Sequence, residues 1–108
     1  MVECSPVLDS VFGSLSDSTR RDILRRLVNR ELSISEIAEP YDMSLAAISK
    51  HLKNMEKARL IYKRRDGKNI FVRLSPVAFR DASDFLKSYR QIWEERLDSL
   101  EKYLSEEQ

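Results

Sequence analysis

The 108-residue sequence predicts one mainly α-helical domain with a small β-hairpin, in the order α-α-α-α-β-β-α. Apolar side chains recur mostly three and four residues apart, as they do on one face of a helix. Only 2 glycines and 3 prolines interrupt these patterns. The period changes to alternation only around Asp66-Gly67, a dipeptide that favours tight hairpin turns. We therefore expect residues 1–108 to form a single domain.

The composition of the chain predicts a cytoplasmic domain. Hydrophobic residues make up 42% of the chain and charged residues 34%, a globular rather than a disordered balance. No segment approaches the roughly 18 apolar residues of a membrane span. The N-terminal segment has an acid and no basic region, unlike a signal peptide. A single cysteine, Cys4, excludes an internal disulfide. We expect a cytoplasmic protein with no membrane contact.

Two helices are predicted in the N-terminal third. Ser5 is a good N-cap, Pro6 fits the first helical position, and the apolar residues of about 5–15 have helical spacing. A second start at Ser16-Asp17 precedes an apolar stripe that predicts a helix to about Asn29, formed by Ile23, Leu24, Leu27 and Val28. The arginines of this segment are predicted to form a solvated face: Arg20, Arg21, Arg25 and Arg26.

The next segment predicts a helix-turn-helix. Ser35 is the expected N-cap of a short helix that ends before Pro40, and a four-residue break follows. Ser44 is the expected N-cap of a second helix, with a narrow apolar stripe of Leu45, Ile48, Leu52 and Met55. The opposite surface of this helix is small, hydroxylic and basic, which is typical of a helix that enters a DNA groove.

A hairpin and a long helix complete the prediction. Two strands, Leu60–Arg65 and Asn69–Leu74, flank Asp66-Gly67, and a vestigial strand at Leu32–Ile34 is possible. Ser75-Pro76 opens a last helix to about Leu104. Its apolar positions recur at spacings of three, four and seven: Phe79, Leu86, Ile92, Trp93, Leu97, Leu100 and Leu104.

Charge is concentrated in the middle of the chain. The formal net charge is only +1, yet residues 44–74 carry nine lysines and arginines against Glu56 and Asp66. Residues 1–43 and 75–108 are each net acidic. A basic middle third between acidic ends predicts a polyanionic partner. Together with the helix-turn-helix pattern, it makes double-stranded DNA the expected partner.

The candidate DNA contacts lie on the second helix of the helix-turn-helix and on the hairpin. Ser44, Ala47 and Lys50 are expected nearest the bases, and Ser49 and Lys53 on phosphates. The alternative to DNA contact is that the helix face is simply solvated and that the charges of the hairpin prevent its edge from pairing with other strands. The full set of predicted contacts is Ser44, Ala46, Ala47, Ser49, Lys50, His51, Lys53, Arg64, Arg65, Lys68 and Asn69.

The outer helices are predicted to form a homodimer interface. A chain of this size has too small a core to bury a long helix rich in large apolar residues. The first and last helices, about residues 5–15 and 76–104, are therefore expected to pack against a second copy. The alternative is that this stripe packs only within its own subunit. The predicted interface residues are Val7, Val11, Phe12, Phe79, Leu86, Trp93, Leu97 and Leu100.

Several separated motifs resemble the ArsR-type winged helix-turn-helix regulators. Residues 15–24 (LSDSTRRDIL) are similar to the second helix of that family, and residues 37–52 (IAEPYDMSLAAISKHL) to its helix-turn-helix. Residues 56–61 and the Arg-Arg and Gly-Lys pairs of the hairpin resemble the wing. The resemblance implies a homodimeric regulator, usually a repressor, bound to a near-palindromic operator. Arg59 departs from the glycine usual in the family, which implies a strained backbone there.

The resemblance does not extend to metal sensing. Family members that sense soft metals have a Cys-x-Cys pair where this chain has Ser33-Ile34-Ser35, and serine offers no thiolate. We expect no metal site, no cofactor and no enzymatic activity, and the effector is not readable from the sequence. Two alternatives stay open: a winged-helix module that binds an acidic protein, and the same regulator with a metal or redox effector that involves Cys4.

Overall fold

The structure, a computed structural model, describes residues 5–106 and contains five helices and three strands in that range. The long last helix gives the described chain extents of 67 × 31 × 22 Å. None of the helices in this range is both long enough and apolar enough to cross a membrane. The elements are α1 (Pro6–Leu15), α2 (Ser18–Arg26), β1 (Leu32–Ser33), α3 (Ile34–Ala38), α4 (Leu45–Lys57), β2 (Ile61–Asp66), β3 (Asn69–Leu74) and α5 (Pro76–Glu106).

Side-chain caps define where most of these helices begin. Ser5, Asp17 and Ser44 each accept a hydrogen bond from a backbone N–H in the first turn of their helix. The predicted starts of α1, α2 and α4 are confirmed. The predicted N-cap of α3 was wrong: Ser33, not Ser35, is the cap. Its hydroxyl accepts from the N–H of Glu36, whose carboxylate accepts from the N–H of Ser33, a reciprocal capping box.

Helix α2 ends earlier than predicted. Its last residue is Arg26 rather than about Asn29, and Leu27 is the C-cap. Val28 is 61% exposed and does not extend the buried stripe. The chain leaves the helix here because Leu32 pairs with Val72 of the hairpin in a three-stranded antiparallel sheet of order β1-β3-β2. The vestigial strand is thus confirmed, at Leu32–Ser33.

The hairpin turn is displaced by one residue from its predicted position. Asp66 pairs with Asn69, so the two turn residues are Gly67 and Lys68 rather than Asp66 and Gly67. Gly67 has a φ of +62°, a conformation that glycine adopts at little cost. Arg59, before β2, also has a positive φ of 61°. This confirms the strained backbone that the absence of glycine there implies.

The core lies between the helices and one face of the sheet. Ile23, Ile37, Ile48, Leu52 and Val72 are fully buried within it. Two predictions about apolar positions were wrong. Leu45, placed on the buried stripe of α4, is 60% exposed because it lies in the first turn, beyond the core. Val11, placed in the dimer interface, is 0% exposed and packs in the core of its own chain, so it offers no surface to a partner.

The arginines of α2 tie helices together instead of forming one solvated face. Arg26 is half-buried and donates to the carbonyl oxygens of Glu36 and Ile37, both at 2.8 Å, while its guanidinium lies over the Tyr41 ring. The Tyr41 hydroxyl donates to Asp22. These contacts lock α3 and the following turn against α2. Arg25 fits the predicted solvated face, since it is exposed and its side chain has no hydrogen-bonding partner among residues 5–106; Arg21 is exposed too but donates to the carbonyl oxygen of Leu15.

Three carboxylates have pKa values below their ordinary ones because they accept strong hydrogen bonds. The N–H of Arg20 lowers the pKa of Asp17, the Arg64 guanidinium lowers that of Glu31, and the N–H and hydroxyl of Ser33 lower that of Glu36. Because the pKa is lower in the folded state, each charged carboxylate stabilises the fold above its unfolded pKa. That stabilisation is lost as the pH falls through the lowered, folded value.

We expect the free energy of unfolding to fall once the pH drops below the ordinary values of 4.5 for glutamate and 3.8 for aspartate. Urea unfolding at neutral pH and at several acid values measures the change. Glu36→Gln should flatten this acid dependence, whereas Glu101→Gln, on exposed α5, should leave it intact. Equal stability at neutral pH and at about pH 3 would contradict the assignment.

Candidate nucleic-acid interface

Helix α4 presents a polar face opposite the core. Ile48, Leu52 and Met55 are buried and fix the rotation of the helix. Most of the predicted contact residues of this helix therefore point outward. Ser44, Ala46, Ser49, Lys50 and Lys53 are exposed, while Ala47 and His51 are half-buried at the margins of the face.

The N-terminal end of α4 is shaped by its cap. The Ser44 hydroxyl oxygen accepts from the N–H of Ala47 at 3.1 Å, which leaves its O–H free to donate outward. The neighbouring small side chains Ala46 and Ala47 permit close approach of a macromolecular surface. The side chains at this end of the helix are thus short, and one of them can donate a hydrogen bond to a bound macromolecule.

His51 is held by an arginine from α2. Arg20 Nη1 lies 3.3 Å from His51 Nδ1, and the same guanidinium donates to the carbonyl oxygens of Ser14 at 2.8 Å and Gly13 at 3.2 Å. Arginine is a donor only, so Nδ1 accepts and the ring N–H of the neutral imidazole is on Nε2. Arg20 thereby links the last turn of α1 to the polar face of α4.

The hairpin, or wing (residues 61–74), has two chemically different faces. Side chains alternate along β2, so Ile61, Lys63 and Arg65 share the face that packs on the core and on α4. Lys63 Nζ lies 3.5 Å from the Glu56 carboxylate of α4, which fixes that orientation. Arg65 therefore lies on the same side as α4, and Arg64 on the opposite, outer face.

Arg64 is bound to Glu31 on this outer face. Its Nη2 lies 2.5 Å from Glu31 Oε1 and its Nε 3.3 Å from Oε2. The guanidinium also lies over the ring of Phe71, 4.9 Å from its centroid. Arg73 approaches the same carboxylate at 3.8 Å and lies over Tyr62. Among the predicted contacts, Arg64 is thus the one engaged in an ion pair.

Six basic side chains along α4 and the wing have no ion-pair partner among residues 5–106. They are all exposed, and acidic side chains are scarce around them. This arrangement creates a positive potential beside the polar face of α4, as a phosphate backbone requires. The six are Lys50, Lys53, Lys57, Arg59, Arg65 and Lys68.

An exposed apolar face lies on α1 and α5. Trp93 is 64% exposed, and all residues from Leu86 to Glu106 are exposed. Phe12 packs edge-to-face on Phe85, 5.8 Å between centroids, and Tyr89 extends the stack at 4.8 Å. Among the other predicted interface residues, Phe79 is half-buried against its own core, whereas the remainder are exposed: Val7, Leu86, Leu97 and Leu100.

Two observations bear on the alternative in which the effector is a metal or a redox reaction. Residues 5–106 contain no group of three or more His, Cys, Asp or Glu side chains placed to hold a metal ion. Cys4, the candidate for a redox role, lies outside the described residues.

Sequence reasoning missed two residues that organise the surface, Arg20 and Glu31. Both act on residues more than thirty positions away, so no local pattern reveals them. The capping box at Ser33 and Glu36 was also missed, although the spacing S-x-x-E signals it.

Known proteins share this architecture. A helix-turn-helix domain family matches residues 15–64. An ArsR-like transcriptional regulator from Rhodococcus sp. RHA1 is 30% identical, with a TM-score of 0.77 over 94% of this chain and 93% of that one. The chain belongs to the ArsR family. ArsR proteins are DNA-binding transcriptional regulators, and the winged helix-turn-helix predicted from the sequence is confirmed.

Other similar proteins differ in the share of their length that matches this chain. The Bacillus subtilis transcriptional repressor SdpR is 30% identical over 82 residues, 76% of this chain and 91% of SdpR. The Mycobacterium tuberculosis regulator KmtR is 44% identical over 64 residues, 59% of this chain, so the match spans only 49% of KmtR. The homodimeric winged helix-turn-helix domain Mb0332 from Mycobacterium bovis, 23% identical, has the same fold, with a TM-score of 0.61 over 90% of this chain and 94% of that one.

Proposed function

We propose that the protein is a homodimeric repressor that binds a near-palindromic operator and occludes a promoter. The observation that carries this proposal is the set of six cations of α4, the wing and the connection between them that have no ion-pair partner among residues 5–106, beside a helix face of small and hydroxylic residues. SdpR is named a transcriptional repressor, which supports repression as the direction of control.

Within each subunit, α4 enters the major groove. Ser44, Ala47 and Lys50 lie nearest the base edges, while Ser49, His51 and Lys53 contact the backbone. The outward Nε2–H of His51 suits a phosphate oxygen, which only accepts. Ala46 lies beside them, and the tip and α4-facing side of the wing contact the flanking backbone through Arg65, Lys68 and Asn69.

The second copy packs on the apolar face of α1 and α5. A helix of 31 residues is about 46 Å long, and all of its residues from Leu86 to Glu106 are exposed. Covering Leu86, Trp93, Leu97 and Leu100 with the same face of a partner is the isologous arrangement of two-fold dimers. The homodimeric Mb0332 supports this arrangement. Recognition helices about 34 Å apart then meet successive major grooves.

Repression does not depend on a metal in this proposal. Ser33 and Ser35 stand where the family's soft-metal sensors have cysteines, and the Ser33 hydroxyl and N–H are both used in the capping box of α3. This position serves to start a helix and supplies no soft ligand.

Lys50→Ala tests the contact assignment. We expect it to weaken binding to the protein's own upstream DNA by roughly tenfold and to weaken binding to a shuffled duplex less, because Lys50 lies on the base-reading face. Fluorescence anisotropy at two salt concentrations measures both affinities.

The matched control is Lys102→Ala, an exposed lysine on α5 far from α4, which should leave both affinities unchanged. Equal losses for Lys50→Ala on the two duplexes would make Lys50 a phosphate contact instead. If the wild type shows no duplex binding and no salt dependence, the repressor proposal fails and the alternative of an acidic protein partner is tested next.

A further inference from the structure

Glu31 lies at the foot of the wing, immediately before β1. Because Leu32 pairs with Val72, Glu31 is placed beside Arg73 on the outer face of the sheet. Arg64 reaches it from β2 across the intervening strand β3, over the ring of Phe71. One carboxylate from the α2–β1 connection thus holds two cations of the wing.

The pairing neutralises Arg64 where DNA would otherwise attract it. Two of its N–H donors point at the Glu31 carboxylate, at 2.5 and 3.3 Å. A phosphate that recruits Arg64 must break this pair and leave a bare carboxylate close to DNA. The pair and the Phe71 ring hold the guanidinium on the face of the wing turned away from α4.

We propose that Glu31 is a specificity-determining residue, which withholds Arg64 from phosphates and thereby limits binding to non-operator DNA. The inference rests on the proposed DNA-binding function and deepens it. In an operator complex, α4 in the groove fixes the subunit, and the wing faces DNA with its Arg65 side. A non-specific complex has no such constraint, so it gains more than the operator complex from a freed Arg64.

Glu31→Gln tests the proposal because it keeps the size of the side chain and removes its charge. We expect affinity for a random duplex to rise roughly three- to tenfold, with a log–log salt slope steeper by about 0.9, the value of one added phosphate contact. Affinity for the upstream operator DNA should rise less, so the ratio between the two duplexes falls.

Arg64→Gln provides the matched comparison. In the wild-type chain it should change random-duplex affinity by less than about twofold, because Arg64 is already withheld. In the Glu31→Gln background it should restore the wild-type affinity and slope. Glu101→Gln, which removes a distant charge, controls for the change in net charge, and circular dichroism melting confirms that each variant is folded.

Three results would each overturn the inference. An unchanged salt slope in Glu31→Gln would show that Glu31 withholds nothing from DNA. A gain that persists after Arg64→Gln would show that Arg64 is not the cation that Glu31 withholds, since the double variant has the wild-type net charge. Should Glu31→Gln unfold, a fall of more than about threefold in random-duplex affinity for Arg64→Gln alone would also refute it. If the wild type binds neither duplex, it is the proposed function that fails.

Discussion

Trp93→Glu is expected to convert the protein into a monomer and to lower operator affinity by roughly a hundredfold or more. Trp93 lies in the middle of the exposed part of α5, in line with Leu86 and Leu100 at heptad spacing. In the proposed two-fold dimer its side chain is buried against the partner helix, where taking a carboxylate out of water is costly. A monomer then binds one half-site and loses the gain in effective concentration that links two.

Sedimentation equilibrium and operator anisotropy on the same samples test this expectation. Gln91→Glu is the matched control, because it adds the same charge to the exposed helix on the side away from the apolar stripe. Trp93 is also the only tryptophan of the chain, so its emission should shift to the red when the wild-type dimer is diluted. A dimeric Trp93→Glu variant with full operator affinity would contradict the interface assignment.

Comparing Trp93→Glu with the wild type also separates an effect on oligomerisation from an effect on folding. Trp93 contributes nothing to the core of its own chain, so the variant should retain its helix content and lose only concentration-dependent stability. If Trp93→Glu unfolds instead, Trp93 would belong to a hydrophobic core that residues 5–106 of a single chain do not show.

Local signals in the sequence predicted most of the fold. Caps at Ser5, Asp17 and Ser44, together with the period of the apolar residues, located three helices, since a helix start depends on residues within one turn. The misplaced start of α3 had a local signal too, because Ser33 and Glu36 have capping-box spacing.

Long-range contacts were beyond such reasoning. The helical spacing of Val11 and Phe12 predicted one shared apolar face, but only the packing of α1 on the core shows that Val11 is buried and Phe12 exposed. Likewise, the basic dipeptide Arg64-Arg65 predicted two equivalent DNA contacts. The strand period of two sends them to opposite faces, and Glu31 then engages one of them.

Arg20 gives the clearest case of a role that depends on tertiary structure. The arginine-rich surface of α2 predicted solvated cations, yet the Arg20 guanidinium joins two carbonyl oxygens at the end of α1 to the imidazole of His51. It therefore connects a helix of the proposed dimer interface to the DNA-reading face of α4.

Arg20→Met is expected to destabilise the fold by about 2–4 kcal/mol, since it removes charge-assisted hydrogen bonds to Gly13 and Ser14 while keeping the aliphatic stem. It should also lower operator affinity, because the His51 ring loses the donor that orients it.

Arg21→Met is the matched control. This exposed arginine makes a single hydrogen bond, to the Leu15 carbonyl oxygen, so its loss should cost under about 1 kcal/mol and leave DNA binding intact. Urea unfolding gives the stability, and ¹⁵N spectra of the imidazole report whether Nε2 carries the proton in the wild type and whether that preference fades in Arg20→Met. An unaltered tautomer with weakened DNA binding would place the effect of Arg20 in stability alone and remove His51 from the contact set.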